Sequence, residues 1–202
     1  MFDLSFLQIL TRAIAAIIVM TFMGFCATGF ARVLGDRGVV YDGKLTLNPF
    51  VHCDLFGLLA GIVGRVCWVR PIAIDPVENR MGRATPVVVA LLTFAALFVF
   101  SRVVLLSLPL VAVHWPISSA ALADATIRMT SSMAVWTLVI NLVPVPPLLG
   151  GYLLLSLTPR THKWLAKRHL YVSIALAALI VATHRSLSET PFGALVNFLG
   201  GP

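Results

Sequence analysis

Charge is what this sequence has least of. Charged residues fill 11% of its 202 positions against 59% hydrophobic, and the mean hydropathy is +0.95. A chain so poor in charge lies outside the range of soluble domains and reads as an integral membrane protein. Acidic residues are the scarcer sign, 8 against 15 Lys and Arg. The resulting +7 would suit nucleic acid, but the cations fall in loops and at the ends of apolar runs, which is how a polytopic protein is oriented in a bilayer. No nucleic-acid partner is expected. Cysteine is also sparse: Cys26, Cys53 and Cys67 sit beside or within apolar runs without a CxxC pair. That excludes a disulfide framework and leaves small buried hydrophobes. The opening MFDLSFLQILTR lacks a basic n-region, and the apolar run after Arg12 outlasts an h-region, so mature protein is expected from the start.

Acidic and histidine side chains at membrane depth are missing too. All the acidic residues (Asp3, Asp36, Asp42, Asp54, Asp75, Glu78, Asp124, Glu189) and all the histidines (His52, His114, His162, His169, His184) lie outside the cores of the apolar runs. A hydrolase acting at depth must bring a metal or an acid/base pair to its substrate, and intramembrane ionisable residues are the usual mark of it. Ser131, Ser132 and Thr137 supply hydroxyls without a base at comparable depth, so helix-packing hydrogen bonds are their expected role. The same lack of polar lining weighs against a transporter or channel.

What the chain does have is apolar length. Runs at about 13–31, 86–113, 129–157 and 168–184 each approach the roughly 20 residues needed to cross the hydrocarbon core. The fold class expected is an all-α integral membrane protein, one polytopic domain over 1–202, with about four transmembrane helices. A fifth run, 55–69, follows Asp54 and is interrupted by Arg65; it reads as a re-entrant or interfacial segment. Basic residues crowd 158–169 and recur over 32–85, whereas 114–127 has no Lys or Arg. By the positive-inside rule the first two lie in the cytoplasm and the third outside, which puts both termini outside. A five-span arrangement is second, because it leaves Arg37 and Lys44 outside.

Several motifs interrupt this pattern. YDGKLTLNPFVHCDLFG, from Tyr41, starts on a turn-like Asp42-Gly43 and alternates through KLTL to Asn48-Pro49, predicting a short β-element near the membrane. His52 and Asp54 are expected to bond loop backbone and cap a helix beginning near Leu55. In WVRPIAIDP, Pro71 and Pro76 hold the chain extended. The oddest stretch is NLVPVPPLLGG, residues 141–151, where Pro144, Pro146, Pro147, Gly150 and Gly151 break what a membrane helix would continue. Asn141 is placed to satisfy backbone groups those prolines free, and Gly150-Gly151 to allow close helix approach. At the end, SLSETPFGALVNFLGGP is amphipathic, and Phe192, Leu195, Val196, Phe198 and Leu199 suit a membrane surface or a neighbour, or else a simple interfacial tail.

In order and spacing these motifs resemble the site-2 protease family of intramembrane zinc metalloproteases, in particular its short bacterial members. Leu34-Gly35-Asp36 matches the motif closing that family's first catalytic span. Gly43 to Pro49 with His52, Asp54 and Gly57 matches its GRLTLNPLxHxDPxG, Trp68 with Arg70, Pro71 and Pro76 its GWAKPVPVNP, and Asn141 to Leu148 its NLLPIPPLDGG. The resemblance runs from about residue 20 to 180 and implies a site-2-protease-like core. It also implies a zinc ion, held by two His of an H-E-x-x-H helix and an Asp, with the Glu as general base. Spaced as in the family, H-E-x-x-H falls on Met23, Gly24, Phe25, Cys26 and Ala27, and the Asp on Leu149. The base and all three ligands are replaced. An AGPxxN turn aligns with Leu92 to Leu97, and its polar Asn is apolar here as well.

Two function classes follow. One is a catalytically inactive homologue without a cofactor, acting as an accessory, scaffold or assembly subunit among other integral membrane proteins in a bacterial inner membrane. Its break at 141–151 is then either a structural kink or a retained peptide groove, and both remain open. The other is an active metallohydrolase using unconventional ligands such as His52, Cys53, Asp54 and Cys26, although consecutive side chains of an extended segment point apart.

Overall fold

The structure, a computed structural model, describes residues 4–74, 80–183 and 187–200. Asp3, Asp75, Pro76, Glu78 and His184, all named above, fall outside them. Helix α1 spans Phe6–Val33. Ser5 starts it with a reciprocal cap, accepting from the Gln8 N–H at 3.3 Å while the Gln8 side chain accepts from the Ser5 N–H at 3.2 Å. Short helices α2 (Gly38–Tyr41) and α3 (Pro49–His52) follow, then α4 (Leu55–Gly64). A 3-10 turn at Gly82–Ala84 leads into α5 (Thr85–Leu106) and α6 (Leu108–His114). Helix α7 covers Ile117–Asn141, α8 Gly151–Leu157, α9 Pro159–Ala166 and α10 His169–Thr183. A 3-10 turn at Leu187–Glu189 precedes α11 (Pro191–Phe198).

The core is a bundle of α1, α5 and α7, with α4 laid between α1 and α10. Its filling is aliphatic and small: Ala15, Ala16, Val19, Met20, Met23 and Ala27 of α1 meet Val89, Phe94 and Leu97 of α5 and Met133, Val135 and Val139 of α7. The alanines let the helix axes approach, which matters between membrane helices because lipid supplies no hydrophobic drive to association.

Two expectations are corrected. The β-element is absent: 42–48 is built of turns between α2 and α3, and among the described residues no strand forms beyond a single bridge pairing Cys53 with Val69. Asn48 decides this locally, since its side chain accepts from the Phe50 N–H at 3.1 Å and, with Pro49 behind it, starts a helical turn. The four-span count is not supported either. Among the described residues two helices are long and apolar enough to cross a membrane, Phe6–Val33 and Gly82–Val111, with a third only if α9 and α10 count as one span despite an 80° bend between them. The run 129–157 splits into α7 and α8 around the Pro-rich break, and 168–184 yields a helix of 15 residues. At the carboxyl end Val196 is buried and α11 packs on α7, while Phe192, Leu195 and Phe198 stay exposed.

The 55–69 segment has the form of a helix with an extended return. Arg65 reverses the chain at φ 60°, and Val66, Cys67 and Trp68 run back fully buried. Its depth follows from its neighbours along α1. His52, just before α4, meets Gly24, whereas Arg12 near the start of α1 donates to the carbonyls of Ile62 (3.0 Å) and Val63 (3.2 Å) at its end. The hairpin therefore runs antiparallel beside α1. Non-helical backbone is tolerable there because protein covers it.

Candidate functional site

The residues that the family pattern would use for chemistry gather in the buried core. Met23 and Ala27 are fully buried on one face of α1, four residues apart as H-E-x-x-H would place its ligands. Leu149 is also buried and belongs to the same apolar cluster. A thioether, a methyl and an isobutyl group cannot replace two imidazoles and a carboxylate around zinc. The residues present therefore do not fit that metal. At the position of the general base stands Gly24, and a Cβ there would overlap the ring of His52. His52 is itself buried, with Nε2 2.7 Å from the Thr46 carbonyl. A carbonyl only accepts, so Nε2 carries the proton and Nδ1 is turned towards Gly24.

The neighbouring motif residues serve the backbone. Asp54 accepts from the Gly57 N–H at 2.9 Å and caps α4, as the sequence pattern suggested, while Asn48 and Pro49 begin α3. Asp36 accepts from the Gly38 N–H at 2.9 Å in the turn that closes α1. Among the described residues no three His, Cys, Asp or Glu side chains gather closely enough to hold a metal ion, so His52, Cys53, Asp54 and Cys26 do not form a common site. Burial raises the Cys53 thiol pKa, and Arg70 pulls it part of the way back.

Asn141 organises the Pro-rich break. Its Nδ2 donates to the Cys67 carbonyl (3.0 Å) and the Thr137 carbonyl (2.8 Å), and its Oδ1 accepts from the Leu149 N–H (3.2 Å). One fully buried amide thus joins the last turn of α7, the hairpin return and the far end of the break. Thr137 adds to the seam by accepting from the Cys67 N–H at 3.1 Å, the packing role expected for its hydroxyl. Pro146, Pro147 and Leu148 are buried, whereas Pro144 is exposed at the outer turn. Gly150 and Gly151 differ from expectation. The approach they permit is to the break itself, because a Cβ on Gly150 would strike the carbonyls of Asn141, Leu142 and Val143, and one on Gly151 the backbone of Pro146. The Gly150 N–H in turn donates to the Asn141 carbonyl at 2.7 Å.

Beside this seam is a cleft of about 640 Å³ walled by α3, the extended Arg70-Pro71-Ile72, and Ala166 and His169 at the α9–α10 bend. Its polar groups are mixed in sign. Lys44 pairs with Asp42 at 3.3 Å, and Asp54 is committed to its cap. The Tyr152 hydroxyl donates to the Ile72 carbonyl at 3.0 Å and ties α8 to that wall.

Two structural contacts escaped the sequence reading. Arg12 caps the carboxyl end of α4, and Arg102, inside the 86–113 run, caps that of α11 through the carbonyls of Leu199 and Gly200, the latter at 3.1 Å. Cations at helix C-termini satisfy orphan carbonyls and the dipole together. A single Arg in an apolar run was the available signal, but its partners lie 50 or more residues away.

No family model matches the chain, and no solved structure matches it. Among curated proteins it is similar to the "Putative zinc metalloprotease YwhC" of Bacillus subtilis (strain 168), with 28% identity over 128 residues. The match takes in 62% of this chain and 58% of that protein, so the chain spans less than two thirds of its relative's length.

Proposed function

We propose that this protein is a catalytically inactive member of the site-2-protease-like group, working in a bacterial inner membrane as an accessory or assembly subunit of a larger membrane complex. The observation that carries the reading is at Gly24. The place of a general base holds no side chain, and the ring of a residue from outside the helix occupies the space. Met23, Ala27 and Leu149 around it extend the apolar core where ligands would stand. The distant similarity to a zinc metalloprotease supports common descent of the scaffold, while fold alone does not carry activity with it. In the proposal the Asn141 seam keeps the break in shape, and the adjoining cleft with the exposed apolar faces of the helices receives partner subunits.

The test is purification of the full chain in mild detergent, with metal content measured and co-purifying chains identified in the same sample. Less than about 0.1 zinc per chain, no hydrolysis of an added transmembrane peptide and a stoichiometric membrane partner are expected on the ligand chemistry above. About one zinc per chain, lost when His52 or Asp54 is changed, would overturn the proposal in favour of a metallohydrolase.

A further inference from the structure

A basic surface lies away from the candidate site. Helix α9 and the turn after it expose Arg160, Lys163, Trp164, Lys167 and Arg168, and the sequence intervals of 3, 1, 3 and 1 put all of them on one stripe of the helix. His162, Leu165 and Ala166 are turned inward and partly buried. The sequence contains no acidic residue between Asp124 and Glu189, and among the described residues none of the four cations has an ion-pair partner. The Arg168 guanidinium stacks on the Trp164 ring at 4.3 Å from its centroid, which holds an interfacial aromatic and a cation together.

Two further observations extend the stripe into a surface. Ser156, at the end of α8, donates to the Arg83 carbonyl at 2.6 Å, and the Arg80 N–H donates to the Leu34 carbonyl at 3.1 Å. The basic turn at 80–83 and the basic helix α9 are therefore on the same end of the bundle. Past an 80° bend the chain enters α10, a predominantly apolar helix with no charged residue. A cationic, Trp-bearing helix lying across the entry to an apolar one matches the geometry of a headgroup layer meeting acyl chains.

We propose that α9 is a docking site for anionic phospholipid headgroups, which fix the α9–α10 bend at the membrane surface. Four unpaired cations on a single stripe recognise phosphate charge, and the apolar helix beyond gives the lipid tails their contact. Free inorganic phosphate would satisfy only the first of these.

The test is native mass spectrometry of the full chain in mild detergent, with dioleoyl phosphatidylglycerol or dioleoyl phosphatidylcholine added at equal concentration. The expected result is at least about tenfold preference for the anionic lipid, falling about fivefold when any one of Arg160, Lys163, Lys167 and Arg168 is changed to Gln. The charge-keeping pair Lys163→Arg and Lys167→Arg should retain it. If the Gln variants fail to fold, raising salt on the unaltered protein gives the same answer, since screening must erode the preference. Equal retention of the two lipids, a preference indifferent to salt, or complete displacement by millimolar inorganic phosphate would overturn the proposal.

Discussion

Gly24 has no side chain, and His52 uses the space. In the proposed function this is the position of a lost general base, and here it is filled by packing. The prediction is a double-mutant cycle. Gly24→Ala alone should destabilise by about 1–3 kcal/mol, since the methyl meets the imidazole ring and overpacks the seam. His52→Ala alone should also destabilise, by leaving a cavity beside Gly24 and the Thr46 carbonyl without its donor. In the double variant the methyl no longer meets a ring, and the helix gains about 1 kcal/mol from Ala over Gly. Thermal unfolding in mild detergent should therefore show a double variant no worse than His52→Ala. Additive losses would mean that the two residues do not share the space.

At the scale of elements, the molecule joins helices through single polar residues placed inside apolar surroundings. Asn141 welds α7 to the hairpin return and to its own break, and Arg12 holds the end of α4 against α1. Such bonds are costly to lose because the partners are carbonyls and amides with no water to turn to. Arg12→Met keeps the length of the side chain and removes two charge-assisted bonds. It should lower stability by roughly 2 kcal/mol and raise amide exchange across 62–69, while the α5–α7 contact region is unaffected. Uniform loosening of the whole bundle would instead make Arg12 a general packing residue. The Asn141 seam was legible in sequence as an Asn ahead of three prolines; the Arg12 cap was not, because a C-terminal cap at 62–63 carries no mark of which distant cation will serve it.

For the whole molecule the open quantity is sidedness. Contacts from Leu34 to Arg80 and from Arg83 to Ser156 place the end of α1, the basic turn and the end of α8 together, which agrees with assigning 32–85 and 158–169 to one side of a bilayer. Single cysteines introduced into a cysteine-free chain test this with a membrane-impermeant reagent. Arg37→Cys and Thr161→Cys should label from the cytoplasmic side and Trp115→Cys from the outside. Labelling of Arg37→Cys and Thr161→Cys from opposite sides would restore the five-span arrangement and refute common placement.

Composition and pattern determined that the chain is helical, rich in long apolar runs and suited to a membrane, because hydropathy and charge placement are summed locally along the chain. They also fixed the identities of Met23, Ala27 and Leu149, the positions on which the resemblance to the zinc metalloproteases places its ligands. Tertiary structure alone decided three things: that KLTLNP turns rather than pairs as a strand, that the 129–157 run is two helices around a buried seam, and that His52 lies against Gly24. The reason is the same in each case. A strand needs a partner edge, a broken helix needs distant groups for its freed amides and carbonyls, and an empty position needs a neighbour to fill it; none of these partners is adjacent in sequence.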